Sequence, residues 1–157
     1  MYLEVTYDPL IEATTGATGS QQNLDIGSTD AHVGGAFTVT EELSSRNVTS
    51  IEIEETGTVN ALTNLDNIRI YYDLDTSNPY DCASETFSLA DTQFGATAAS
   101  FSGANGTASF SGTAGISLTS TMCAYVVLDV ATTSAAGQTI EIQINDPTTD
   151  VTVSGTD

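Results

Sequence analysis

The sequence predicts an all-β fold, an antiparallel Ig-like β-sandwich preceded by an extended N-terminal strand. Three observations lead there. Apolar and polar residues alternate with a period of two over many short segments, and no segment sustains a helical period. Gly, Asn, Asp and Pro interrupt those segments every 8–12 residues or so, the spacing of sandwich turns. Thr and Ser are abundant, at 26 and 16 of 157 residues, and Thr suits the solvent-facing side of a pleated sheet. The length fits one domain able to bury about two-thirds of its unfolded surface.

The leading segment MYLEVTYDPL gives a strand over residues 2–7. Its apolar residues Tyr2, Leu3, Val5 and Tyr7, continued by Leu10 and Ile11, form a candidate assembly strand. The stretch ATTGATGSQ (13–21) consists of small, unpatterned residues and reads as a linker. The chain therefore divides into an N-terminal strand and linker (1–21) and a β-sandwich domain (22–157). Within the domain, strands are expected at 22–26, 36–40 and 48–54, with VGG (33–35) and TGT (56–58) as turns.

The clearest strand is NIRIYYDLD (67–75), with Ile68, Ile70, Tyr72 and Leu74 on one face and Arg69, Tyr71, Asp73 and Asp75 on the other. TSNP (76–79) ends it. Shorter strands follow at 86–89, 98–101, 107–110 and 116–118, with a helical turn near 90–94 and a GANG turn at 103–106. TMCAYVVLDV (121–130) is apolar on both faces, as a strand central in its sheet should be. TIEIQIND (139–146) alternates cleanly, and 150–153 supplies a last strand resembling the first in length and polarity. Two similar terminal strands suit a unit of a tandem array, or one whose ends pair with neighbouring subunits.

Charge sets the exclusions. Against 21 Asp and Glu stand Arg46, Arg69 and no Lys, a formal net charge of -19. Nucleic acid is not a partner, because affinity for phosphate backbones comes from Lys and Arg displacing counterions. Electrostatic docking on anionic lipid is excluded by the same reasoning. Without Lys there is no Schiff base, no P-loop lysine and no Lys–Asn crosslink. No stretch approaches the 20 or so apolar residues that span a bilayer, so this segment does not insert in a membrane. The N-terminus lacks the basic region of a signal peptide. Each arginine is expected in a surface pair with a carboxylate, worth under about 1 kcal/mol.

Cys82 and Cys123 accompany no metal-ligand spacing. A disulfide closing that loop would stabilise by about 4 kcal/mol in the chain-entropy model; the alternative is two buried thiols in a reducing compartment. The acidic, lysine-free composition favours the disulfide and an extracellular or cell-surface location.

One grammar of strands and turns is specific enough to compare. VTSIEIEETGTVNALTNLDNIRIYYD is followed by ETF…FG (85–95), a run of small residues, and AYVVLDVATTSAAGQTIEIQI. Over about residues 23–153 this resembles secreted bacterial Ig-like β-sandwich modules, found as repeats in large surface proteins and as accessory domains preceding sialidase-type propellers. The resemblance implies an extracellular structural or adhesive module, and it brings no active-site residues with it.

Candidate chemistry is sparse. In DLDTSNPYD, Asp73, Asp75 and Asp81 surround a turn, and alternating acids entering a turn can supply calcium ligands; Asp66 lies near. The other reading is solvent-facing acids beside an Asn78-Pro79 turn. Glu41, Glu42, Glu52, Glu54 and Glu55 contain close carboxylates of the kind glycosidases use, but on a strand they form a solvated face. His32 has no G-x-S-x-G partner motif and reads as a turn residue, so the chain is not expected to be an enzyme. Asn47 and Asn105 head N-x-[ST] sequons. Tyr71, Tyr80 and Tyr2 could stack on sugars, although no Trp is present. The expected function is a structural module or subunit of a surface protein, filament or adhesin, joined by strand complementation to copies of itself or to adjacent modules. The alternative is a glycan-binding accessory module, calcium-dependent or not.

Overall fold

The computed structural model describes residues 13–15, by their backbone, and residues 24–154. The candidate assembly strand Tyr2, Leu3, Val5, Tyr7, Leu10 and Ile11 lies outside the described residues. The elements in chain order are β1 (Ala13–Thr15), β2 (Ala31–Val39), β3 (Arg46–Glu55), a helical turn α1 (Ala61–Asn64), β4 (Leu65–Asp75), β5 (Thr92–Ala98), β6 (Thr107–Ile116), β7 (Thr121–Val130), β8 (Ile142–Gln143), a second turn α2 (Pro147–Asp150) and β9 (Val151–Ser154).

They form a β-sandwich. One sheet has the order β1-β2-β7-β4-β5, and the other runs β6-β3-β8 with β9 also paired to β3. Every pairing is antiparallel. The period-two pattern sets the layers. Ile68 and Ile70 of β4, Met122, Ala124, Val126 and Leu128 of β7, and Ile51 and Ile53 of β3 are buried between the sheets with Phe94, Phe101 and Phe110. At one side the sheets nearly touch. A Cβ on Gly95 (φ +75°) would stand 2.5 Å from the Ser111 carbonyl oxygen, and one on Gly112 2.9 Å from the Phe94 ring. Only glycine permits that approach.

Several boundaries differ from expectation. Residues 24–26 belong to no strand, and VGG is not a turn between strands but an irregularity inside β2, whose register shifts between Val33 and Ala36. Gly34, at φ +78°, lets the strand continue through it. Residues 13–15, read as linker, pair with Phe37–Val39 as β1. The expected strand 86–89 is irregular, and β5 occupies the place of the expected helical turn at 90–94. The strands at 107–110 and 116–118 merge into β6. Of 139–146 only Ile142–Gln143 joins the ladder, although Ile140, Ile142 and Ile144 pack against the core.

The arginines also differ from each other. Arg46 is buried, with its Nε 3.0 Å from Glu41 Oε2, so this pair is not a surface contact. Glu41 Oε1 accepts from the Leu43 and Ser44 amides and so orders the β2–β3 loop. Arg69 does lie at the surface, bridging Asp30 at 2.6 Å and Asp129 at 3.3 Å.

The candidate site under the 76–91 loop

β7 is apolar on both faces because both are covered. Its inner face meets the second sheet. Its outer face carries Cys123, Tyr125 and Val127, all buried, and the cover is supplied by the segment between β4 and β5. Cys82 in that segment is joined to Cys123 by a disulfide, with Cα atoms 5.7 Å apart and 41 residues between them in sequence. The two-thiol alternative is thereby closed.

Asp75 anchors the start of the loop. Its Oδ1 accepts from the Ser77 amide at 2.8 Å and its Oδ2 from the Cys82 amide at 3.0 Å. It is only 1% exposed, although its strand parity places it on the outer face. Tyr80 and Cys82 take left-handed backbone conformations, with φ of 62° and 63°, and turn the chain back over the sheet. Phe87 then docks on the β-strands. Its ring centroid lies 4.8 Å from His32, 5.8 Å from Tyr125 and 5.8 Å from Tyr71. His32 also stands edge-on to Tyr125 at 5.6 Å. The result is a small second core of one disulfide and four rings, outside the sandwich proper.

Acids rim this core. Burial raises the Asp73 pKa, and the nearby carboxylates of Asp91 and Glu85 raise it further. Burial pushes the Tyr125 hydroxyl up to about 12, with the charges of Asp73, Asp91, Glu85 and Asp75 adding to it. Tyr125 is 3% exposed, and its hydroxyl oxygen has no hydrogen-bond partner. Burial lowers the pKa of His32, against the opposing pull of its hydrogen bond to the Gly35 carbonyl. His32 is thus a packing residue of β2, not a turn residue.

The expected calcium set does not converge. Asp75 spends both oxygens on backbone amides, Asp81 is exposed and accepts from the Ala83 amide, and only Asp73 faces the acid cluster. Among the described residues, no three His, Cys, Asp or Glu side chains gather closely enough to hold a metal ion. The glutamates form no paired site either. Glu52 accepts from the Ser109 hydroxyl and Glu54 from the Gln143 amide, both on the outer face of β3, while Glu55 turns into the protein. Tyr71 packs against Phe87 and Tyr80 is half-buried, so neither ring lies open as a stacking platform. The sequon residues Asn47 and Asn105 are both exposed, and the Asn105 amide nitrogen donates to the Gly57 carbonyl at 3.2 Å.

Set against family models, curated proteins and solved structures, the chain matches none.

Phe87, Glu85, Asp91 and Tyr125 were not singled out from the sequence. One signal was available: a strand apolar on both faces requires a cover on each, and a long segment leading to a cysteine partner is the natural one.

Proposed function

We propose that this chain is an extracellular structural module of a surface protein or filament, joined to its neighbours by strand addition. The supporting observation is the state of the β2 edge. β1 pairs only with Phe37–Val39, and among the described residues Ala31–Ala36 have no partner on that side. Val33, in this stretch, packs incompletely against the core, so an added strand would have apolar surface to cover as well as amides and carbonyls to pair. The segment 2–11 carries the alternating apolar residues an added strand needs. The occupant is this segment from a second copy, laid along Ala31–Ala36.

The disulfide and the doubly covered β7 suit a module that must persist outside the cell, where thiols oxidise. The test is a chain lacking residues 1–12, which keeps β1. Size-exclusion chromatography and electron microscopy should show assemblies for the full chain and monomers for the truncated one, with the same far-UV circular dichroism. Assemblies that survive truncation, or a full chain that stays monomeric at high concentration, would refute strand addition.

A further inference from the structure

Asn105-Gly106 is the one Asn-Gly pair in the sequence, and it stands in the 102–106 loop that leads into β6. Such a pair favours an intramolecular reaction, because the backbone nitrogen of the second residue is tethered beside the side-chain carbonyl carbon of the first. Glycine presents no Cβ to block the approach. Asn105 is exposed. The turn 103–106 also closes without a well-formed hydrogen bond. The turns 77–80 and 88–91 are closed by amide-to-carbonyl bonds of 2.7 and 3.1 Å, but among the described residues no such bond runs from the Gly106 amide. Gly106 is held from its other side, where its carbonyl oxygen accepts from the Glu55 amide at 3.0 Å. Asn60 and Asn145 are exposed too, yet the amides that follow them are engaged. Ala61 donates to the Ala104 carbonyl at 3.0 Å and Asp146 to Asp150 Oδ2 at 2.7 Å. The Asn105 side chain is held by its Nδ2, which donates to the Gly57 carbonyl at 3.2 Å. One exposed hydrogen bond of this kind slows a reaction by about tenfold at most.

We infer that Asn105 is a site of spontaneous modification, converted through a cyclic imide to aspartate and isoaspartate. The Gly106 nitrogen gives up its proton to water and bonds to Asn105 Cγ, the Cγ–Nδ2 bond breaks, and ammonia leaves. One water then opens the imide at either of its carbonyls, and no other reactant is consumed. Opening at one carbonyl leaves aspartate; opening at the other leaves isoaspartate, with the main chain rerouted through the side-chain carbons. Either product sets a carboxylate oxygen against the Gly57 carbonyl oxygen, where an N–H donated before. Isoaspartate also lengthens the main chain by a methylene just before Gly106, where even an added Cβ would stand 2.2 Å from the Gly103 nitrogen. The loop has no room for it. This loop holds the end of β3 through the Gly106–Glu55 bond and α1 through the Ala104–Ala61 bond, so the sandwich loosens beside the buried Glu55 as the chain ages. The reaction does not depend on strand addition, since all of its groups belong to one loop.

The experiment incubates the full chain at mildly alkaline pH, with a synthetic peptide of residues 101–109 as the reference. Conversion is followed by intact mass, by released ammonia and by methyl transfer from S-adenosylmethionine with an isoaspartate methyltransferase, and peptide mapping places the product. The expected result is one conversion per chain, at position 105, faster as pH rises and within about tenfold of the peptide rate. Asn60 and Asn145 should lag far behind. The converted chain, separated by anion exchange, should show a lower denaturant midpoint and a loss of hydrogen-exchange protection at the Glu55 amide. Asn105→Gln, whose longer side chain must close a larger ring, should stay unmodified and keep that protection. Asn105→Asp adds the charge without the methylene and should lose less protection than the isoaspartyl chain. An intact Asn105 after the peptide has fully converted, or an isoaspartyl chain with the midpoint and protection of the fresh one, would overturn the inference.

Discussion

Glu55 is a carboxylate in the core, 0% exposed. Its Oε1 accepts from the amides of Gly57 at 2.8 Å and Glu141 at 3.2 Å, so it clasps the 56–58 turn to the segment before β8. Oε2 has no partner. Burial raises its pKa, the two amide hydrogen bonds oppose the rise, and the charge of Glu141 adds to it. A folded-state pKa above the unfolded value means that the proton is bound more tightly in the folded chain. This contribution to stability is therefore complete at pH values below the ordinary 4.5 and is lost as pH rises through the folded value. Urea unfolding at a series of pH values should show Glu55→Gln gaining stability relative to the unmodified chain as pH increases from 4 toward 8. A constant difference across that range would contradict the assignment. Glu41 is the opposite case, a buried acid that has its cation. Removing one partner of such a pair leaves the other charge buried and costs about 3–5 kcal/mol. Glu41→Ala should lose that much in denaturant unfolding, plus the capping of the Leu43 and Ser44 amides.

At the scale of elements, the loop between β4 and β5 is held by the disulfide, Asp75 and Phe87, and these restraints differ in kind. Replacing both cysteines by Ala releases a loop of 41 residues and should cost about 4 kcal/mol, read as a lower denaturant midpoint. At the opposite side, Gly95→Ala must fit a Cβ 2.5 Å from a backbone oxygen at a positive φ. Strain and clash together should cost about 2–4 kcal/mol, with the loss expressed where β5 meets β6. Neither glycine contact could be read from the sequence, because the approach of two sheets is a tertiary fact. The two-faced burial of β7 and the alternation of β4 could be read, since each depends only on the order of residues along one strand. The expected strand at 86–89 failed for a related reason. Thr86–Leu89 has strand-like composition, but the Cys82 bond and the Phe87 docking draw the chain over the sheet face, where no ladder partner exists. Glu55 was legible in principle, because it shares the parity of Ile51 and Ile53 and so had to face inward.

For the whole molecule, the net charge of -19 acts on everything above. Exposed acids on both outer faces and around the loops keep sheet edges from pairing indiscriminately and repel neighbouring copies. The sequence made this field plain, but not where it concentrates. Asp73 and Asp75 alternate on one strand face and look alike in sequence, yet one joins the acid rim and the other disappears under the loop. Asp91 and Glu85 reach that rim only because the loop folds back. Strand addition between such bodies has to overcome their mutual repulsion, which is screened over about 10 Å at 0.1 M salt and 3 Å at 1 M. Assembly of the full chain should therefore be weak at low ionic strength and strengthen as sodium chloride is raised, measured by light scattering at fixed protein concentration. Sodium chloride acts on the whole surface, so Asp81→Asn and Asp91→Asn should respond to it alike. If salt weakens assembly instead, the contact between copies is made by charge pairs and not by the backbone of an added strand.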